Sequence, residues 1–324
     1  MPAAKLPGQA VRTLVFCTFL WALSFPAMKA LSLEQHTLLP DAGSWFFTSL
    51  GVMYRFGAAG LVLLLFNVAA LKTISRRETE QGIALAVFGV AGILFQMDGL
   101  AYTLASTSAF LTQGYCVFIP MWGLIIHRRH PSLKIYLSTL LVVIGVAVLA
   151  EINFHSFKLG RGEIETLIAS VLFTGQILLL ENPRYAANRA GNFSTVMFLA
   201  MALLCLPLVW ATAPNAAAGL HAYSSLMAVG LMASLVVFCT VFAYTLMNRW
   251  QRHVTATEAG LIYCIEPVVA SALALFLPGW LSHWGNINYG NEQLTWRLLL
   301  GGGLITAANV LLQSRWLETE TPKT

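Results

Sequence analysis

Apolar and polar residues alternate along this chain on the length scale of a membrane span. Apolar runs of about twenty residues are separated by short segments that carry charged, glycine, proline or other polar residues. A bilayer core of about 30 Å is crossed by roughly 20 residues of α-helix. The pattern therefore predicts ten transmembrane helices, at about 12–32, 44–69, 81–105, 107–127, 133–151, 163–182, 193–212, 224–248, 255–278 and 295–316.

Composition agrees with a lipid environment. Hydrophobic residues make up 57% of the 324 residues and charged residues only 10%, whereas soluble domains carry about 25% charged residues. The first run follows Lys5 and Arg12, as in a signal peptide, but it is long, ends at Lys29 and is followed by nine more runs. We therefore interpret it as a retained first helix.

The positive charges orient the chain. With the N-terminus inside, fourteen Lys and Arg residues fall on the cytoplasmic side, against three outside: Lys158, Arg161 and Arg297. This bias follows the positive-inside rule and predicts cytoplasmic termini in a bacterial inner membrane, with the lipid bilayer as partner. The positive charges are spread over separate segments, which argues against a nucleic-acid partner.

The chain also contains an internal repeat. The tetrapeptide AYTL occurs at 101–104 and again at 243–246, and each copy is followed by a helix with a central proline, Pro120 or Pro267. Five predicted helices separate the copies, so the two halves would have opposite orientations. Inverted repeats with interrupted helices are typical of secondary transporters, whose substrate site lies between the repeats near the midplane.

The predicted fold is therefore an all-α integral membrane protein made of two inverted five-helix repeats, at residues 1–155 and 156–324. The mechanism that such a fold implies is alternating access, in which one half rocks or bends against the other. We predict that Pro120 and Pro267 are its hinges.

Four segments resemble the EamA-type drug/metabolite transporter superfamily. They are LWALSFPAMK from Leu20, YRFGAAGLVLLL from Tyr54, AYTLASTSAFLTQGYCVFIP from Ala101 and EAGLIYCIEPVVASALAL from Glu258. The whole chain is most similar to YddG-type bacterial exporters of aromatic and other neutral amino acids, which implies an amino-acid substrate. The family often has Gly-Glu shortly after each central proline; this chain lacks it, so no role of those glutamates is carried over.

Two charged residues lie deep in predicted spans and each needs a reason, because an ionisable group there costs about 2.5 to 3.5 kcal/mol. Glu266, directly before Pro267, would meet a substrate ammonium, accept structural hydrogen bonds or bind a proton. Arg55 would form a fixed ion pair with Glu266 or Asp98, or meet a substrate carboxylate; we favour the ion pair.

Other candidates are polar or aromatic residues in the repeat-bearing helices. Asp98 and Tyr102 are four residues apart and share a helical face, and a water-filled outer vestibule would hydrate Asp98. Gln113 precedes Pro120 in a tract that should face the cavity, because a lipid-facing Gln would be unpaired. The remaining predicted cavity residues are the aromatic Trp21, Tyr115, Tyr244 and Tyr263.

The sequence offers no enzyme, cofactor or metal signature. The five cysteines lie inside predicted spans without a C-x-x-C spacing, and the seven histidines lie at helix ends or in loops. A nucleotide-sugar or drug/metabolite carrier of the same fold, or a channel, remains an alternative. A monomer is compatible with the sequence, which does not fix the oligomeric state.

The energy source is open. The first helix has no acidic residue from Val11 to Leu33, which favours facilitated movement down the amino-acid gradient. Proton antiport through Glu266 or Asp98 is the second reading. The long segment 277–296 is interpreted as an interfacial loop, with capping of the outer opening as its alternative.

Overall fold

The computed structural model describes residues 8–66, 68, 72–127, 133–149 and 159–313. Within these ranges the chain is almost entirely helical and contains no strand. The α-helices are α1 (Gly8–Leu38), α2 (Ser44–Phe66), α3 (Arg76–Tyr102), α4 (Ala105–Thr112), α5 (Tyr115–His127), α6 (Leu133–Leu149), α7 (Arg161–Glu181), α8 (Ala190–Thr212), α9 (Ala218–His221), α10 (Leu226–Val236), α11 (Ala243–Trp250), α12 (Ala256–Tyr263), α13 (Ile265–Ala274), α14 (Leu277–Gly285) and α15 (Trp296–Gln313).

Each predicted apolar run coincides with one helix or with consecutive helices. Six continuous helical stretches of the described chain are long and apolar enough to cross a membrane, and a seventh is obtained if the bent pair Glu258–Ala274 and Leu277–Gly285 forms one span. Helices α6 and α15 are apolar but shorter. The chain is therefore an integral, multi-pass membrane protein, while the count of ten spans and the location of the termini stay predictions.

Two helices begin at residues whose side chains satisfy the first backbone amides. Before α3, the Ser75 hydroxyl accepts from the Glu78 amide at 3.2 Å while Glu78 accepts from the Ser75 amide at 2.7 Å. Thr255 and Glu258 form the same reciprocal pair before α12. Such capping boxes satisfy donors that have no partner within the helix, so these two sequences fix where α3 and α12 start.

The fourth and ninth predicted spans are both interrupted. The first breaks at Gln113 and Gly114, between α4 and α5, and the second at Cys264, between α12 and α13. Each break lies a few residues before Pro120 or Pro267, the central prolines from which the interruptions were predicted. Pro267 is buried in the first turn of α13, where a missing N–H costs nothing. Pro120 lies within α5, but its side chain is outside the described residues.

The helices pack in reciprocal pairs. The most extensive contacts join α2 to α8, α3 to α7, and α6 to α15, and α1 packs along α10 and α11. If the second half repeats the first, α2 and α8 are counterparts, as are α6 and α15. At the α6–α15 crossing, a Cβ on Gly145 would lie 2.8 Å from the Gly301 carbonyl oxygen, so glycine is what permits this approach. Such reciprocity is what an inverted repeat requires; the membrane orientation of the halves stays a prediction.

Candidate functional site

A central cavity lies between helices from both parts of the chain. It contains about 530 Å³ of space between protein atoms, including the part open to solvent. Its walls come from α1, α2, α3, α4, α5, α7, α11, α12 and α13. The lining residues are Trp21, Ser24, Arg55, Ile93, Gln96, Thr112, Tyr115, Phe173, Gln176, Ile177, Tyr244, Met247, Tyr263 and Glu266.

The structure brings most of the sequence-predicted residues to this cavity. Six of them line it: Trp21, Arg55, Tyr115, Tyr244, Tyr263 and Glu266. Gln113 lies just behind the wall, and Asp98 and Tyr102 belong to a different cluster at the end of α3. Contact of any of these residues with a substrate stays a prediction.

Aromatic rings form one continuous side of the cavity. The Trp21 ring centroid lies 5.4 Å from that of Tyr244 and 5.4 Å from that of Tyr263, both edge to face. Tyr263 in turn lies 6.4 Å from Tyr115. Such edge-to-face pairs fix the ring orientations, so the rings form a rigid apolar surface.

Glu266 is the acidic side chain among the described residues of the cavity wall. It lies in the first turn of α13 and is 7% exposed. Among the described residues, no cation lies within ion-pair distance of its carboxylate. The positive end of the α13 dipole favours a negative charge there. Since a buried charge needs a partner, an unpaired carboxylate facing a cavity is suited to a cationic ligand.

Two hydrogen-bond donors also lack partners. The indole Nε1 of Trp21 and the amide Nε2 of Gln176 are buried and have no acceptor in the described part of the molecule. Both residues line the cavity. A buried donor without an acceptor costs about 1 to 3 kcal/mol, so the cavity is suited to a ligand that brings acceptor atoms.

Arg55 does not form the predicted ion pair. Its guanidinium donates from Nε to the Thr240 hydroxyl at 2.6 Å and from Nη2 to the Cys239 carbonyl at 3.1 Å, and no carboxylate of the described residues lies within ion-pair distance. These acceptors lie in a π-helical turn, Val237–Phe242. A π turn disrupts the regular α-helical hydrogen-bond ladder, so the arginine binds the backbone where a carboxylate was expected.

Gln113 joins the two interrupted helices. Its Nε2 donates to the Tyr263 carbonyl at 2.9 Å, from the break of one pair to the end of α12 in the other. Nearby, the Cys116 thiol donates to the Gly260 carbonyl at 3.4 Å. Gln113 itself is not among the lining residues, because its amide binds the carbonyl at the other break, whereas Tyr115 of the same tract lines the cavity.

Asp98 and Tyr102 do not line the central cavity; Tyr102 instead lines a separate open pocket with Lys29 and Glu163. The Asp98 side chain is fully buried and its Oδ2 accepts a hydrogen bond from Arg161, so this carboxyl group is not exposed to an outer vestibule as predicted. Tyr102 is half exposed, and its hydroxyl bonds to Ser44 at 2.9 Å. Arg161, which the charge rule assigns to the outer side, is the first residue of α7 and bonds to Asp98 on α3.

Several lining residues were not predicted. Gln176 stands alone in the apolar run VLFTGQILLL, so the argument applied to Gln113 would also have selected it. Gln96, which bonds to Thr112 at 3.0 Å, lies two positions before Asp98 and therefore on a different face of the helix from Asp98 and Tyr102. Nothing in the sequence distinguishes the remaining apolar members from packing residues.

The described residues hold no group of three or more His, Cys, Asp or Glu side chains that would bind a metal. The five cysteines are buried free thiols. Two of them bond to backbone carbonyls of neighbouring helices. The Cys239 thiol donates to the Leu20 carbonyl at 3.0 Å, and the Cys17 thiol donates to the Ala243 carbonyl at 3.4 Å.

Comparison with known proteins supports a membrane-transporter fold. Residues 10–150 match the EamA-like transporter family, so this part of the chain has the fold of a transporter family. No curated protein matches the sequence. A solved structure titled "Crystal structure of protein" is 14% identical with a TM-score of 0.61, over 94% of this chain and 96% of that one. At this identity the likeness shows a shared fold alone.

Proposed function

We propose that this protein is a secondary transporter that exports small metabolites, namely aromatic and other neutral amino acids, through the central cavity. The observation that supports this proposal most is the composition of the cavity wall. Among the described residues it combines a buried carboxyl group without a cationic partner, Glu266, with two donors that have no acceptor, Trp21 and Gln176, beside a surface of aromatic rings.

A neutral amino acid matches each of these groups. Its ammonium would meet the Glu266 carboxylate, and its carboxylate would accept from Trp21 Nε1 and Gln176 Nε2. An apolar or aromatic side chain would then lie against Tyr115, Tyr244 and other rings. Charge-assisted hydrogen bonds are about twice as strong as neutral ones. A ligand with both an ammonium and a carboxylate therefore gains more binding free energy here than a ligand with only one of these groups.

The transport cycle is alternating access. Residues 1–155 and 156–324 form two inverted repeats that rock about the cavity, with Pro120 and Pro267 beside the interruptions that allow bending. The protein works as such a carrier in the bacterial inner membrane, with both ends of the chain in the cytoplasm.

Counterflow in liposomes tests the function. Purified protein is reconstituted into vesicles loaded with unlabelled phenylalanine, and labelled phenylalanine is added outside. A carrier gives a transient accumulation of label that saturates with substrate, whereas a channel gives simple equilibration. Counterflow with a nucleotide sugar but with no amino acid, or no counterflow at all, would overturn the proposal.

A further inference from the structure

A second polar cluster lies away from the cavity, where α3 ends and α7 begins; its two carboxyl side chains are buried and its arginine is partly exposed. Arg161 donates from Nε to Glu165 Oε1 at 2.8 Å and from Nη2 to Asp98 Oδ2. Its Nη1 donates to the Tyr102 hydroxyl at 2.9 Å. All three nitrogens of the guanidinium are therefore used, and this arginine serves two carboxylates at once.

The charges in this cluster do not balance. Two carboxylates and one guanidinium leave one excess negative charge, while the Asp98 side chain is 0% exposed and that of Glu165 is 11% exposed. Asp98 Oδ1 and Glu165 Oε2 are buried and have no partner within the described ranges. Both carboxyl groups contact the same guanidinium, Asp98 at Nη2 and Glu165 at Nε.

One proton between the carboxyl groups resolves both deficits. Two carboxylates that share a buried site are not both ionised at low cost, and a shared proton removes the excess charge and supplies the missing donor. We infer that Asp98 and Glu165 together hold one exchangeable proton, and that this proton is the ion coupled to transport.

The other charged groups nearby have their own partners. Lys29, on α1, donates to the carbonyls of Leu100 and Thr103, and Glu163 accepts from the Thr103 hydroxyl at 2.6 Å. Glu292 bonds to backbone amides at the start of α4. None of these groups neutralises the carboxyl pair, and the described residues hold no third acidic ligand that would favour a metal ion.

The carboxyl pair lies on the same two helices as part of the cavity wall. Its two helices also carry the cavity residues Gln96, on α3, and Gln176, on α7. The helices cross closely beside the pair, because a Cβ on Gly99 would lie only 2.8 Å from the Gly162 carbonyl oxygen. Protonation therefore changes the charge at the contact of two helices that the substrate touches further along.

The resulting exchange is antiport. A proton from outside binds the empty pair, is released inside and moves opposite to the amino acid, so one positive charge enters for each zwitterion exported. This step rests on the proposed function, since it needs a substrate in the cavity, but it makes a separate prediction: a pH gradient alone should drive accumulation of the amino acid.

Proteoliposomes with an imposed pH gradient test the inference. The unaltered protein should accumulate labelled phenylalanine against its gradient. Asp98→Asn and Glu165→Gln should each lose this accumulation and keep counterflow, because an amide cannot release a proton. Glu163→Gln is the matched control: it removes a carboxylate from the same turn of α7 and should keep the response to pH.

A second measurement does not depend on transport by the variants. A pH-sensitive dye should show release of about one proton per molecule when phenylalanine binds the unaltered protein in detergent. Three results would each overturn the inference. They are counterflow that does not respond to a pH gradient, accumulation driven by sodium at clamped pH, and proton release that persists in both variants. Absence of counterflow with every amino acid would instead overturn the proposed function.

Discussion

The two interrupted helix pairs, α4–α5 and α12–α13, share a plan and differ in chemistry. Aligning Pro120 with Pro267 places Ile119 opposite Glu266, so only the second pair brings a charge to the cavity. Conversely, the first pair carries an amide side chain, Gln113, that donates to the Tyr263 carbonyl at the other break. The features that the two pairs share form the cavity and the helix interruptions. The positions at which they differ, such as Glu266, carry the groups that would distinguish one ligand from another.

The starts of α4 and α12 also differ, in where the groups that cap their first amides come from. At α12, Thr255 and Glu258 form a capping box within the local sequence, and Glu181 also accepts from the Ala256 amide at 3.1 Å. At α4, the N-cap Leu104 makes no side-chain bond. Its first amide, from Ala105, instead donates to Glu292 at 2.8 Å, from a segment far along the chain. The start of α4 therefore depends on a tertiary contact that α12 does not need.

The largest effect is expected where the two breaks differ in charge. Glu266→Gln removes the one acidic side chain among the described residues of the cavity wall and should weaken amino-acid binding roughly tenfold to 150-fold, because hydrogen bonds to charged groups contribute about 1.5 to 3 kcal/mol. Binding to purified protein by calorimetry measures this change. Glu258→Gln, which keeps an acceptor at the capping position, is the control and should bind normally; equal losses in both variants would refute the role of Glu266.

A smaller effect is expected from the link between the breaks. Gln113→Ala leaves the buried Tyr263 carbonyl without its side-chain donor, which should cost about 1 to 3 kcal/mol. Thermal unfolding in detergent measures the loss. Ser138→Ala removes a buried hydroxyl that has no partner in the described structure and should change the midpoint far less. A Gln113→Ala protein as stable as the unaltered one would show that the link is dispensable.

The two helix starts should respond unequally to loss of their distant carboxylates. Glu292→Ala should destabilise the start of α4 by about 1 kcal/mol, the usual cost of a lost cap. Glu181→Ala should have less effect on α12, whose own capping box remains. Hydrogen exchange at the amides of Ala105 and Ala256 compares them directly, and equal protection losses would contradict the difference between the two starts.

The smallest effect is expected at the hinges. Pro267→Ala is accommodated in the first turn of α13 and should lower turnover roughly twofold to fivefold while leaving binding unchanged. Pro120→Ala should act in the same direction. Steady-state export compared with binding separates the two quantities, and unchanged export in both variants would remove these prolines as hinges.

Much of the fold follows from local pattern, because apolar runs and capping residues act over short distances. The apolar runs predicted the helices, and the repeated proline helices predicted two interruptions. The partner of Arg55 was not predictable, since it depends on the π-helical turn Val237–Phe242, which has no sequence signature. Asp98 was misplaced for a related reason: its partner Arg161 follows it by 63 positions, and only the crossing of α3 and α7 joins them.

The central claim is that the cavity recognises both charged groups of a neutral amino acid. Binding of phenylalanine, phenethylamine and 3-phenylpropionate to the purified protein tests it most directly, because the two analogues each lack one charged group. Phenylalanine should bind more tightly than either analogue, and Glu266→Gln should weaken phenylalanine and phenethylamine but spare 3-phenylpropionate. Equal affinity for all three ligands, unchanged by that substitution, would contradict the account.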